Sequence, residues 1–223
     1  MVRRKKSPYI VAGVVSFVIF ILGFLVGFTM LDVQLEDLRL EMDRNELELK
    51  NINLELTLLD KLGDGEKLCS YLNERIEYID KKTWELGNKI VNPEGINQQY
   101  FDILARRYSV SLIEDWIFSN ELSERCDTNR VSVLYFFEKN SDLCQSQGYV
   151  LDYLVEKDKE NNLRIFALDK DLDEPAIQIL VQAYDIEKAP TIVVEGNRFE
   201  DFRTKEELMV IFCAVNKNLS FCE

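Results

Sequence analysis

Residues 131–214 alternate between short apolar runs and amphipathic segments, and no other part of the chain limits its fold as strongly. The runs at 131–137 and 163–168 are rich in β-branched and aromatic residues, which predicts two buried strands. Apolar positions between the two runs follow a helical spacing. Pro175 then opens a second helix, because proline is well tolerated in a first helical turn. The predicted order so far is strand, helix, strand, helix.

The remainder of this segment adds two strands and a helix. A β-branched run follows Pro190, and a turn at 195–197 leads to a short return strand near 199–202. Thr204 and Glu207 fit a capping box, since each side chain can accept a hydrogen bond from the other residue's free amide. The last helix therefore begins here, and the whole order is an α/β arrangement.

Two motifs in these elements are found in a known superfamily. Phe136-Phe137, three further residues and then Ser141-Asp142-Leu143-Cys144 resemble the Phe-Phe-x-x-x-Cys-x-x-Cys segment of thioredoxin-like proteins. Ala189-Pro190-Thr191, placed before a β-branched strand, resembles the cis-proline loop of the same superfamily. The resemblance covers roughly residues 128–216 and implies a thioredoxin fold. It also implies that Ala189, Pro190 and Thr191 form a peptide-binding edge beside the active-site turn.

The departure from the family pattern bears directly on activity. Family members place their nucleophilic cysteine at a helix N-terminus, where the helix dipole lowers its pKa. This chain has Ser141 there, and a hydroxyl cannot exchange with a disulfide, so a dithiol cycle is excluded. Tyr135 stands where such domains often keep a buried acid. Cys144 aligns with the second, resolving cysteine, which leaves two interpretations: a monothiol nucleophile or a small buried side chain.

Composition excludes several classes of function. The net charge of −13 argues against nucleic-acid binding, which needs clustered Lys and Arg. The chain has no histidine, so neither a Ser-His-Asp triad nor a histidine-ligated metal site can form. The acidic turn at 169–174 lacks the glycine and the final glutamate of an EF-hand. We therefore predict no metal and no cofactor.

The N-terminal region has the pattern of a membrane anchor. Residues 9–31 carry no charge and would span about 34 Å as a helix, enough for a bilayer core of about 30 Å. Four cations precede this segment and acids follow it, which predicts a signal anchor with residues 1–8 in the cytoplasm and the rest of the chain outside the cell membrane. Gly23 and Gly27 form a Gly-x-x-x-Gly pair that would let two such helices pack closely.

A heptad pattern follows directly. Apolar residues recur at spacings of four and three from Leu31 to Leu59, which predicts a coiled-coil stalk over 32–62. Asn45 is the one polar residue of this seam, a position that fixes register and partner number. We expect a homo- or hetero-oligomer through the seam, whose inner positions are Leu35, Leu38, Met42, Asn45, Leu49, Ile52 and Leu56.

Between stalk and thioredoxin-like domain (127–223), residues 63–126 predict an antiparallel helical hairpin, with helices near 66–90 and 97–125 joined by a turn at Pro93. Outside the membrane, thiols tend to pair. Two bridges among five cysteines can be drawn in fifteen ways, and the sequence does not choose between them. Besides Cys144, the candidates are Cys69, Cys126, Cys213 and Cys222, of which the last two are close in sequence.

Three functions compete on this evidence. The first is a redox-degenerate module that binds or scaffolds protein partners. The second is an atypical disulfide oxidoreductase or isomerase that acts on exported proteins through Cys144 alone. The third is a purely structural component of an oligomer. Ser141 favours the first and third, whereas the retained Pro190 and Cys144 are consistent with the second. We predict the first and keep the second as the alternative.

Overall fold

The computed structural model describes residues 12–24, 51–59, 61, 65–93, 95, 97–126, 128 and 130–222. The chain divides into two compact units, Met1–Gly63 and Asp64–Glu223. In the first unit, residues 12–24 and 51–59 are helical. Gly23 lies in the former helix, and Ile52 and Leu56 lie in the latter. The other predicted oligomerisation residues lie outside the described residues: Gly27, Leu35, Leu38, Met42, Asn45 and Leu49.

The predicted transmembrane helix over 9–31 is wrong. Within the part of the chain that the structure describes, no helix is both long and apolar enough to cross a membrane. Crossing a bilayer needs about 20 apolar residues in one helix, and an uncharged run in the sequence meets only the compositional part of that requirement.

The second unit contains a helical pair followed by an α/β domain. Its elements, in chain order, are α1 (Glu66–Val91), α2 (Gln98–Cys126), β1 (Val131–Phe137), α3 (Asp142–Lys157), β2 (Leu163–Asp169), α4 (Pro175–Ala183), β3 (Thr191–Val194), β4 (Asn197–Glu200) and α5 (Lys205–Val215). The return strand begins two residues before its predicted start, because Glu195 and Gly196 alone make the turn. Both have positive φ, as a two-residue hairpin turn requires.

The four strands form one sheet in the order β2-β1-β3-β4. β1 and β2 are parallel and joined through α3, whereas β3 runs antiparallel to β1 and β4 antiparallel to β3. A crossover followed by a hairpin, with helices after β1, β2 and β4, is the connectivity of the thioredoxin fold. The predicted thioredoxin-like α/β order is confirmed, including the capping box at Thr204 that begins α5.

Side chains of β1 alternate between the two faces of the sheet and thereby supply two cores. Val133 and Tyr135 face α3 and α5, where they join a cluster with Leu154 and Phe212. Even-numbered residues face α2 and α4, in a second cluster with Leu112, Ile113, Ile177 and Leu180. Because β1 is central and covered on both faces, its sequence is apolar at nearly every position.

Helices α1 and α2 pack antiparallel as a hairpin within the same unit as the sheet. A disulfide joins Cys69, near the start of α1, to Cys126, the last residue of α2. Thr83 Oγ1 and Ser111 Oγ lie 2.6 Å apart midway along the pair. A second disulfide, Cys213–Cys222, ties the C-terminal tail to α5. The prediction that thiols pair is confirmed, and Cys144 is the one cysteine left free.

Arg164 on β2 connects the sheet to both helices of the hairpin. Its Nη2 donates to Oδ2 of Asp115 on α2 at 2.5 Å and also to Asp80 on α1, and its Nη1 donates to Oδ2 of Asp80 at 3.1 Å. The Asp115 side chain is 4% exposed. Burial raises the pKa of Asp115 from its usual 3.8 to about 6; Arg164 opposes this rise and Asp80 adds to it. Two carboxylates therefore share one guanidinium; Asp115 is buried, whereas the Asp80 side chain is 45% exposed.

This arrangement predicts that Asp115 makes the fold less stable as pH rises. The folded chain holds the Asp115 proton up to about pH 6, whereas the unfolded chain releases it near 3.8, so its contribution is lost between these values. Between pH 4.5 and 7 the loss should be on the order of 2 kcal/mol. Asp115→Asn should reduce the fall in unfolding free energy between pH 4.5 and 7, measured by urea titration. Asp173→Asn, at a side chain that is 98% exposed, is the charge-matched control. Identical pH slopes in both variants would contradict this role.

Candidate functional site

Ser141 caps the N-terminus of α3. Its backbone is extended (φ −98°, ψ 114°), and its Oγ accepts a hydrogen bond from the backbone N–H of Cys144 at 3.3 Å. A serine at this position satisfies one of the free amides at a helix start. The position at which the family resemblance puts a nucleophile thus holds a hydroxyl that accepts a backbone hydrogen bond. Leu143, between Ser141 and Cys144, is 47% exposed.

Cys144 lies in the first turn of α3 and is only 4% exposed. Its Sγ accepts a hydrogen bond from the backbone N–H of Glu138 at 3.4 Å. Glu138 directly follows β1, so the loop from strand to helix wraps around the sulfur. Since the other four cysteines are in disulfides, this is a monothiol site.

Tyr135 contacts the same turn from the sheet. Its hydroxyl donates to the carbonyl oxygen of Cys144 at 2.6 Å. Burial raises the pKa of Tyr135, and the neighbouring Cys144 raises it further. The phenol therefore stays protonated and acts as a donor that fixes the first turn of α3. It cannot replace a carboxylate as a proton acceptor at neutral pH.

A cavity of about 870 Å³ opens at the carboxyl ends of β1 and β2, and Cys144, Ser141 and Tyr135 all line it. Two further lining residues, Asp152 and Tyr108, were missed in the sequence. Burial, followed by Glu156, raises the pKa of Asp152. Burial, followed by Asp152, raises the pKa of Tyr108.

Asp152 gives this cavity a carboxyl group that β1 does not supply. Its position could have been found from the sequence, because it follows Cys144 by eight residues and lies on the same side of α3. Tyr108 carries no such signal. It comes from α2, before the thioredoxin-like segment, and only the folded hairpin brings it to this cavity.

The predicted peptide-binding edge lies at the same end of the sheet. The Ala189–Pro190 peptide bond is cis, and Thr191 pairs with Phe136 near the end of β1. Thr191 is fully buried, and its Oγ1 donates to the carbonyl oxygen of Lys188 at 2.8 Å. None of these three residues is among those that line the Cys144 cavity. The loop and the thiol thus share one end of the sheet without lining one cavity.

Comparison with known proteins adds only a general likeness. No protein-family model matches the chain, and no curated protein matches it. Among solved structures, a malarial protein is 23% identical, with a TM-score of 0.33 over 38% of this chain and 96% of its own. Chloroplastic thioredoxin z is 20% identical, with a TM-score of 0.34. The match covers 42% of this chain and 84% of thioredoxin z. The germline-specific thioredoxin Deadhead from Drosophila melanogaster is 19% identical, with a TM-score of 0.29. The match covers 41% of this chain and 87% of Deadhead.

The fold assignment rests on the strand order and connections of the sheet and not on these similarities. By those connections, residues 131–215 form a thioredoxin-like domain. The candidate functional site of this domain contains the buried thiol of Cys144, the serine that caps α3, Ser141, and the protonated phenol of Tyr135. Such a site can bind through hydrogen bonds, but it cannot close an internal disulfide.

Proposed function

We propose that this thioredoxin-like chain is a binding or scaffolding module for protein partners and lacks dithiol exchange activity. The observation that supports the proposal most directly is the hydrogen bond from the Cys144 N–H to the Ser141 hydroxyl. It gives the residue at the nucleophile position a structural role in the first turn of α3. A buried Cys144, held by the Glu138 amide, is consistent with a packing role for the remaining thiol.

The proposed contact surface is the end of the sheet that carries Leu143 and the Ala189–Thr191 loop. Leu143 is a large apolar side chain, half exposed, in the turn that precedes Cys144. An exposed apolar residue at the end of the sheet that also carries this loop suits an extended segment of a partner or of an exported client protein. The heptad segment over 32–62 is the proposed means of oligomerisation, either with a second copy or with a different helix.

We also propose that the chain works in an oxidising compartment outside the cytoplasm. Both disulfides of the second unit support this, because structural disulfides persist mainly in such compartments. The proposal needs neither a metal nor a cofactor.

The binding function predicts a poorly reactive thiol. Cys144 should react with Ellman's reagent at least roughly a hundredfold more slowly in native protein than the exposed thiol of a Ser146→Cys, Cys144→Ser control. Its buried sulfur must first be uncovered by a local opening, and a hundredfold difference corresponds to an opening free energy of about 3 kcal/mol. Ser146 is an exposed residue of the same helix. Denatured wild type should release one thiol per chain, and native protein should not reduce insulin disulfides.

The alternative is a monothiol enzyme, and one observation favours it: Cys144 lies in the first turn of α3, and its Sγ accepts a hydrogen bond from the backbone N–H of Glu138. Its thiolate would attack a partner disulfide, form a mixed disulfide and release one partner thiol. A second partner thiol would then have to resolve the bond. Rapid native reaction of Cys144, with disulfide exchange abolished by Cys144→Ser, would establish this alternative and refute the binding module.

A further inference from the structure

Four aromatic residues line the cavity beside Cys144. They come from three elements: Tyr108 from α2, Tyr135 and Phe137 from β1, and Tyr149 from α3. The Tyr149 side chain is 64% exposed, so much of its ring is open to a ligand. Aromatic walls suit two kinds of group, either an apolar side chain or a cation that lies over the face of a ring.

The charged residues of the lining favour the cation. Among the lining residues that the structure describes are three carboxylates and one lysine. The lysine, Lys139, has its Nζ 2.9 Å from Oδ2 of Asp169, which does not line the cavity. One of the carboxylates, Glu138, lies 2.9 Å from Nζ of Lys170, which also does not line it. Two carboxylates remain in the cavity, and its one lysine is already paired elsewhere.

Of these two carboxylates, Asp152 is the one whose charge is uncompensated. Asp142 begins α3, where the helix dipole favours a negative charge, whereas Asp152 lies well along the helix. Within the described part of the chain, Asp152 forms no ion pair, and Glu156 one turn later adds a like charge that raises its pKa after burial. After burial, the charge of Asp152 is the next cause of the raised pKa of Tyr108. The Asp152 carboxyl group therefore lies near an aromatic wall of the cavity.

We propose that this cavity binds an arginine side chain from an extended segment of a partner protein, with the guanidinium paired to the Asp152 carboxylate and stacked on the Tyr149 ring. This role rests on the proposed binding function and specifies the chemistry of its partner. Arginine suits the site better than lysine, because its planar guanidinium can pair with a carboxylate and lie against an aromatic face at the same time. The net charge of −13 also favours the approach of a basic segment.

Two matched peptides test the charge of the ligand. Acetyl-Gly-Val-Arg-Val-Gly-amide and the same peptide with citrulline in place of arginine have nearly the same shape, but citrulline is neutral. The backbone amide shifts of Gly148 and Asp152, which both line the cavity, should change saturably in NMR spectra when the arginine peptide is added. The citrulline peptide should bind about tenfold more weakly or worse, because it cannot form the charge-assisted hydrogen bonds to the carboxylate.

Two variants test the residues of the site. Asp152→Asn should weaken binding of the arginine peptide about tenfold and leave binding of the citrulline peptide nearly unchanged, so that the difference between the peptides largely disappears. Tyr149→Leu should weaken binding of the arginine peptide about threefold. Both residues are exposed on α3, so both variants should fold. Asp173→Asn removes the same charge from a 98% exposed side chain outside the cavity, and should leave both affinities unchanged.

The outcomes separate this site from the function proposed for Cys144. Neither peptide contains a cysteine, so thiol chemistry does not enter the binding measurements. No saturable response to the arginine peptide, or an equal loss of affinity in Asp152→Asn and Asp173→Asn, would overturn the arginine site. Equal affinities for the two peptides would also overturn it, because the cavity would then take a neutral side chain. Insulin reduction by the native protein would instead refute the binding module, whichever peptide binds.

Discussion

Ser141→Cys is expected to form an intramolecular disulfide with Cys144 and to acquire disulfide exchange activity that the wild type lacks. In wild type, the Ser141 hydroxyl lies 3.3 Å from the Cys144 amide nitrogen at the start of α3. A thiol at this N-cap position faces the free amides and the positive end of the helix dipole, which favour its thiolate. After oxidation, the free thiols per denatured chain should fall from one in wild type to none in the variant.

The exchange activity should be partial. Tyr135 is held protonated and cannot accept the proton that a buried carboxylate would take. Asp152 lines the cavity, and burial raises the pKa of its carboxyl group. In the Ser141→Cys background, Asp152→Asn should therefore lower the rate of insulin reduction further, and this comparison tests whether Asp152 assists.

Ser146→Cys is the matched control for this prediction. It adds a thiol to an exposed position of the same helix, two residues after Cys144, and side chains two apart on a helix do not face each other. It should keep two free thiols and show no exchange. If Ser141→Cys also kept two free thiols, the first turn of α3 would not have the geometry of an active-site dithiol, and the interpretation of Ser141 as a replaced nucleophile would be wrong.

The sequence predicted those features of the fold that depend on local patterns. The apolar runs correctly predicted β1 and β2, and the capping box of Thr204 and Glu207 correctly predicted the start of α5. Contacts between distant residues carried no such signal. Arg164 is 84 residues from Asp80, and nothing in either local sequence indicates that they meet. The prediction of a membrane span over 9–31 rested on composition alone, and within the described residues no helix meets the requirement for a span.

The same distinction between local sequence patterns and contacts between distant residues applies to the candidate functional site. Ser141 and Cys144 were found because a motif four residues long places them together. Asp152 lies within reach of helical periodicity from Cys144. Tyr108 depends on how α2 packs and could not be found without the fold. The disulfide pairing was equally out of reach, since Cys69 and Cys126 meet only because the two hairpin helices are antiparallel and of matched length.

Loss of the Cys69–Cys126 disulfide is expected to cost about 4 kcal/mol of unfolding free energy. The bridge joins residues 57 apart, and the entropy of the loop it closes in the unfolded chain gives this value. Domains are usually stable by only about 5–15 kcal/mol, so the loss is large. Cys69→Ala with Cys126→Ala should be compared with wild type by chemical denaturation.

Cys213→Ala with Cys222→Ala is the internal comparison. Its residues are only 9 apart, so the same loop entropy predicts a smaller loss of about 2.5 kcal/mol. The two double variants should also lose protection from hydrogen exchange in different parts of the chain. Without Cys69–Cys126, the start of α1 is free of the end of α2, and hydrogen exchange should quicken in α1 while the amides of β1 stay protected. Equal losses in the two double variants would mean that the bridge acts on the folded hairpin and not on the entropy of the unfolded chain.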